Sequence, residues 1–159
     1  MKRAGLTQEA FSGHFSSKEE LLREALDDGF SRTPFMPPEQ SGEPLDTLIR
    51  GYLSSKHRDD LRHACLTGTL TAEMARHPRR TRESFITHLE KIFATIDSKL
   101  PGGLRGPERK KQAMSVFALL VGALHLARVT KGTELSDQIL EAGVEATRKL
   151  IPKEAHKTR

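Results

Sequence analysis

A chain of 159 residues, 36% hydrophobic and 30% charged, is long enough to bury one core while keeping wide solvated faces. With one tyrosine and no tryptophan it lacks the stacking platforms of carbohydrate sites and RNA-binding sheets, and its formal charge of +5 permits polyanion binding without specifying it. The single cysteine, Cys65, excludes an internal disulfide and fits a reducing cytoplasm, and residues 1–15 lack the apolar run of a signal peptide. In chain order, Thr7-Gln8-Glu9-Ala10 opens a short helix on which Ala10, Phe11, His14 and Phe15 recur at helical spacing. Ser17-Lys18-Glu19-Glu20 reads as an S-x-x-E capping box that starts a second helix over 18–31, with Leu21, Leu22, Ala25 and Leu26 as its apolar positions. The stretch TPFMPPEQSGE at 33–43, with three prolines and a glycine, is expected to be a loop.

Pro44 suits the first turn of a helix running to about Ser55, with Leu45, Leu48, Ile49, Tyr52 and Leu53 on one face. A helix over 66–77 stops before Pro78. Arg80 to Leu100 is amphipathic through Phe85, Ile86, Leu89, Ile92, Phe93, Ile96 and Leu100, and Pro101-Gly102-Gly103 ends it. Pro107 opens a helix to about Thr130 whose run Ala113–Val129 is the most apolar in the chain. That run contains Ser115, Gly122, His125 and Arg128, so it reads as a buried helix and not as a membrane span. Gly132 and Thr133 break it, and Ser136 begins a last helix with Ile139, Leu140, Gly143, Val144, Thr147, Leu150 and Ile151 along one stripe. No strand alternation and no internal repeat is present, so the fold class is all-α, a helical bundle. Three regions follow: 1–32, 44–151, and a basic tail at 152–159 that is expected to be disordered.

The segment KRAGLTQEAFSGHFSSKEELLREAL, residues 2–26, resembles the recognition helix and following helix of the tetracycline-repressor (TetR) family of transcription regulators. That family's pattern runs close to A-G-L-T-x-G-A-F-Y-x-H-F-x-S-K-E-x-L-L. Residues 4–7, Ala10, Phe11, His14, Phe15, Ser17, Lys18, Glu19, Leu21 and Leu22 match it. Farther on, Ala64-Cys65-Leu66 with Ala72-Glu73-Met74-Ala75 is similar to a G-C-x…A-x-E-x-A segment of one large subgroup, Ala64 replacing the usual glycine. Leu120 to Arg128 and Leu135 to Leu140 resemble its last two helices. The resemblance implies that 1–32 is part of a helix-turn-helix head and 44–151 a ligand-binding and dimerisation domain. It also implies that two scaffold helices, roughly 25 to 30 residues, precede Met1 in a full-length parent. Either Met1 is an internal methionine of such a parent, or the product begins here without a complete DNA-reading unit.

Carried over by position, Thr7, Gln8, Ser12, His14 and Lys18 are the DNA-facing residues, with Lys18 on phosphate and Gln8 and Thr7 toward base edges. Glu9 and Ser12 depart from the pattern. A carboxylate is repelled by the DNA backbone, and serine has less reach than the usual tyrosine. Residues 1–30 hold four basic and six acidic side chains, so the basic excess lies outside this head. The implied effector is a small apolar or aromatic molecule, with Leu66, Leu70, Met74, Phe85, Leu89, Phe93, Phe117 and Val121 as candidate lining. Each of these taken singly also fits ordinary core packing. The implied homodimer uses the last two helices. Leu120, Ala123, Leu124, Ile139, Leu140, Gly143, Val144 and Leu150 are its candidate interface, with Gly122 permitting close approach.

Other features have plainer readings. Cys65 has no neighbouring base and reads as a small buried residue. His57, Asp59, Asp60 and His63 form one short cluster without a second half-site, a solvated polar turn in preference to a metal site. Arg76 to Arg82 reads as a solvated basic corner, and His125 as a core or interface histidine in preference to a ligand contact. No nucleophile–base spacing, phosphate-cradling loop or carboxylate pair is present, so no catalytic residue, cofactor or metal is expected. The functional expectation is a ligand-responsive regulator, a repressor acting in the cytoplasm on double-stranded DNA. The alternative is a helical interaction module that pairs with full-length relatives and titrates them off DNA.

Overall fold

The computed structural model describes residues 14–32, 35, 44–61, 65–103 and 105–151. Seven helices form among them: α1 (Lys18–Arg32), α2 (Leu45–Tyr52), α3 (Ser55–Asp59), α4 (Leu66–Met74), α5 (Arg79–Lys99), α6 (Gly106–Val129) and α7 (Glu134–Leu150). The architecture is an all-α bundle, with no strand among the described residues.

Local chemistry sets the helix ends. At the start of α1 the Ser17 hydroxyl accepts the Glu20 N–H at 3.1 Å, as a capping box requires. The return contact is shifted one residue: the Glu20 carboxylate accepts from the N–H and the hydroxyl of Ser16, both at 2.6 Å. The two bonds from Ser16 hold the Glu20 carboxyl below its usual pKa.

The helix expected to run to Ser55 stops at Tyr52, and a second short helix replaces the expected polar turn. Ser54 is the reason. Its extended backbone and its hydroxyl, which accepts the His57 N–H at 3.1 Å, start α3 instead of continuing α2. His57 Nδ1 lies 2.8 Å from the Tyr52 carbonyl and so covers one of the open carbonyls at the end of α2. Helix α4 ends three residues before the expected 77, where His77 and Arg76 N–H groups turn back to Met74 and Glu73 carbonyls in tighter steps.

Helix α6 is the axis of the core. By length and composition it could cross a membrane, with a mean hydropathy of 1.5. Ala113, Val116, Phe117, Leu120, Ala123, Leu124 and Ala127 are, however, buried inside this chain. They pack with Leu48, Ile49, Tyr52 and Leu53 of the α2 region, Ile92 and Ile96 of α5, and Leu140 of α7. Helices α6 and α7 approach closely because residue 143 has no side chain. A Cβ there would stand 2.7 Å from the Ala123 Cβ and 2.9 Å from a Leu53 methyl. The α5–α6 corner is held by Arg109, which donates to the carbonyls of Pro101 at 3.0 Å, Leu100 at 2.7 Å and Asp97. Gly103 and Gly106 supply the left-handed backbone that this corner needs. A second, smaller cluster of Leu26, Phe30, Met74 and Phe85 joins α1 to α4 and α5.

Candidate functional site

Helices α1 and α5 run side by side in the same direction. The Ser84 hydroxyl meets the Asp27 carboxylate at 3.5 Å, and one turn further the His88 ring lies flat on Phe30, centroids 3.8 Å apart and 9° from parallel. Along this seam opens a cleft of ≈ 630 Å³, a volume in the range of small-molecule sites. Its end near the start of α1 carries Arg23 and Arg80, its middle Asp27, Glu83 and Ser84, and its far end Phe30, Phe35, His88, Lys91, Ile92 and Thr95. Phe35 belongs to both cleft and core, tilted on Tyr52 at 5.6 Å and edge-on to Phe117 at 5.4 Å. Burial, and then the Lys91 charge, pull the His88 pKa down, so its ring is neutral near pH 7 and stacks on Phe30 without a buried charge.

The eight residues expected to line a ligand site occupy two places. Leu66, Leu70, Met74 and Phe85 belong to the small α1–α4–α5 cluster, and Phe93, Phe117 and Val121 to the main core. Leu89 touches both. None of the eight lines the α1–α5 cleft. Phe93 faces a second groove of ≈ 410 Å³ between α5 and α6. The cleft's own lining escaped sequence reasoning because it is polar and charged at the rim. The available signal was the helical spacing of Arg23, Asp27, Phe30 and Ser31 against Arg80, Ser84, His88 and Lys91.

A second feature is a set of buried polar atoms where α2, α4 and α6 meet. Thr67 Oγ1 and His125 Nε2 are buried without a hydrogen-bond partner among the described residues, and the buried Tyr52 Oη faces the Cys65 thiol. Burial raises the Tyr52 hydroxyl pKa, and the facing Cys65 thiol raises it further. His125 packs over Gly68, where any side chain would collide with its Nε2, and burial with nearby Arg128 keeps its pKa low. Cys65 itself is half-buried against the core.

Segment 55–60 is built as a latch. Arg58, its side chain only 11% exposed, donates to Ser136 Oγ at 2.9 Å and Asp137 at 2.7 Å on α7. Arg128 of α6 donates back to the carbonyls of His57 and Arg58 at 3.1 and 3.3 Å. Asp59 is held by Arg58 and Lys131, which bring its carboxyl down to about 2. Its oxygens are thus committed to cations; His63 lies outside the described residues, and no cluster of three metal-ligating side chains occurs among those described. In the basic corner, Arg76 pairs with Glu73 at 3.6 Å while Arg80 turns to the cleft.

Of the expected DNA-facing residues, Thr7, Gln8 and Ser12 lie outside the described residues. His14 is exposed beside Phe15, and Lys18 is exposed at the first turn of α1. Of the expected interface residues, Leu120, Ala123, Leu124, Leu140 and Gly143 are already covered by the chain's own packing. Ile139 and Val144 are half-buried and Leu150 is 40% exposed. The face that α6 and α7 leave open shares Ile139 and Leu150 with the expected one and otherwise differs from it. Met114, Ala118, Gly122, Leu126 and Val129 form a stripe on α6, and Leu135, Ile139, Ala142, Ala146 and Leu150 one on α7. Leu126 is 60% and Val129 85% exposed.

No family model matches the sequence, and no curated protein matches it. Among solved structures, the chain is similar to the reduced form of NemR from E. coli. The TM-score is 0.71 at 23% identity, covering 97% of this chain and 84% of that one. The likeness establishes the fold: the whole described bundle has a counterpart of the same architecture.

Proposed function

We propose that this chain is the body of a ligand-responsive transcription regulator of the TetR type, acting in the cytoplasm as a repressor and dimerising through α6 and α7. The observation that carries the reading is the double use of α1. Its first turn is capped by Ser16, Ser17 and Glu20, directly after the head-like segment that resembles a recognition helix. Its opposite end forms a wall of the cleft through Phe30 and Ser31. An occupant of the cleft therefore touches the helix on which the head is mounted, and a small tilt of α1 would change the spacing of two heads in a dimer. Two apolar stripes side by side on α6 and α7 give a second copy its surface. Chromatin capture of the protein in its own cells tests the reading: enrichment at a few discrete palindromic sites supports it.

A second reading is a module that pairs with longer relatives without reading DNA. The acidic excess in residues 1–30 favours it, since that segment repels phosphate. Recovery of such relatives on the protein, with no enriched DNA site, would decide for it.

A further inference from the structure

The two ends of the α1–α5 cleft are chemically unequal. Lys91 stands at the far end, and its neighbours one turn away on α5 are Thr87, His88, Ala94 and Thr95, none of them acidic. Lys91 makes no ion pair among the described residues. The nearest cleft carboxylates in sequence and register, Glu83 and Asp27 opposite Ser84, sit two turns away, roughly 10–12 Å along the helix axis. They are too far to neutralise the Lys91 ammonium through solvent of ordinary ionic strength. Around this cation the walls are flat and apolar. Ile92 is 2% exposed, Phe35 is pinned by Tyr52 and Phe117, and the His88 ring is pinned on Phe30. His88 makes no hydrogen bond to a described residue, so its ring nitrogens remain for an occupant of the cleft.

A fixed aromatic wall favours a planar ring, which loses little freedom on stacking. An ammonium with no ion pair among the described residues favours one anionic group at the ring's edge, and Asp27 and Glu83, which separate this end from Arg23 and Arg80, repel a second one next to it. We propose that the Lys91 end of this cleft binds a planar aromatic monocarboxylate, its ring against Phe35, Ile92 and His88 and its carboxylate on the Lys91 ammonium. The inference rests on the ligand-responsive reading above for its consequence at DNA, and binding measured without DNA separates the two.

Calorimetric titration of the full chain with 2-naphthoate, with benzoate, and with the neutral isostere 2-naphthamide tests it. One naphthoate or benzoate per chain is expected, with 2-naphthamide at least about tenfold weaker. Lys91→Glu should weaken the carboxylates by a similar factor and leave 2-naphthamide unchanged, while Lys91→Arg keeps binding. Lys91 is exposed, so an unchanged melting curve certifies that the variants are folded. Equal affinity for amide and acid, affinity indifferent to Lys91→Glu, or no binding by either carboxylate at millimolar concentration would overturn the proposal. If naphthoate binds through Lys91 and chromatin capture yields no site, the cleft stands and the regulator reading falls. Discrete DNA sites without carboxylate binding give the converse.

Discussion

The α6–α7 pair and the α1–α5 seam are both helix pairs, packed by opposite means. Between α6 and α7 the contact is made by Gly143 on Ala123, and the polar side chains caught there are satisfied at short range. Ser136 Oγ donates to the Ala127 carbonyl and Thr147 Oγ1 to the Gly143 carbonyl, each at 2.7 Å. Along α1–α5 the contact is Phe30, edge-on to Phe85 and stacked on His88, flanked by long charged side chains, with one stretched hydroxyl–carboxylate bond across the seam among the described residues. The first arrangement leaves no room for a guest and pushes its spare apolar surface outward. The second leaves room and, at Lys91, a charge with no ion pair among the described residues. Close packing and an open cleft thus fall to different helix pairs of one small domain.

The most direct way to break this contrast is at the two glycines. Gly143→Val places new atoms against the Ala123 Cβ, which is fixed to the backbone, and against a methyl of Leu53, which is 4% exposed and closely packed. It should cost about 3 kcal/mol in urea unfolding. At Gly29 an added Cβ would meet only the Leu66 side-chain end, at 2.7 Å. That methyl can swing away, so Gly29→Ala should stay within about 1 kcal/mol of the parent, helped by alanine's helix propensity. Equal losses at both sites would mean that α1 is packed on α4 as tightly as α7 is on α6.

Next in size, Leu126→Glu and Val129→Glu lie on the open stripe and should leave the melting temperature nearly unchanged while weakening self-association about a hundredfold in sedimentation. A chain that sediments as a monomer at micromolar concentration before any substitution would remove the partner from the comparison. Leu89, packed against both clusters, sharpens it from inside: Leu89→Phe should lose about 1–3 kcal/mol by overpacking, whereas stability held constant together with lost ligand affinity would mean that this face borders a cavity.

The smallest effect is in pH. His57, His88 and His125 have folded pKa values depressed by burial below the ordinary 6.5. Below about pH 6.5 the unfolded chain therefore binds more protons than the folded one, and stability falls as pH drops toward the depressed values. The stability from the lowered carboxyls of Glu20, Asp46 and Asp59 is intact above the ordinary carboxylate range and is lost only as pH falls through that range. A melting temperature that declines from pH 7.5 to 5.5 is expected. His88→Gln should flatten the seam's share of the slope and His57→Gln the core's.

Helix periodicity and end signals were legible in the residues themselves. The rhythm of Phe85, Ile92 and Ile96, the stop at Pro101-Gly102-Gly103, and the cap at Ser17 depend on neighbours within one turn, so the sequence by itself determined an all-helical chain and most of its breaks. Even there, Ser54 chose to start α3 over prolonging α2, a competition between two local hydrogen bonds that pattern alone does not rank. What only the tertiary structure decided is the use of each face. The apolar run 113–129 surrounds most of α6, so no periodicity in it says which side meets α2 and α5 and which stays open. Close approach at Gly143 turned Leu120 and Leu124 inward and left Leu126 and Val129 outside. The cleft was hidden for the same reason. It belongs to residues 57 positions apart, such as Asp27 and Ser84, whose meeting is set by how two helices lie across a shared core and by no local preference of either.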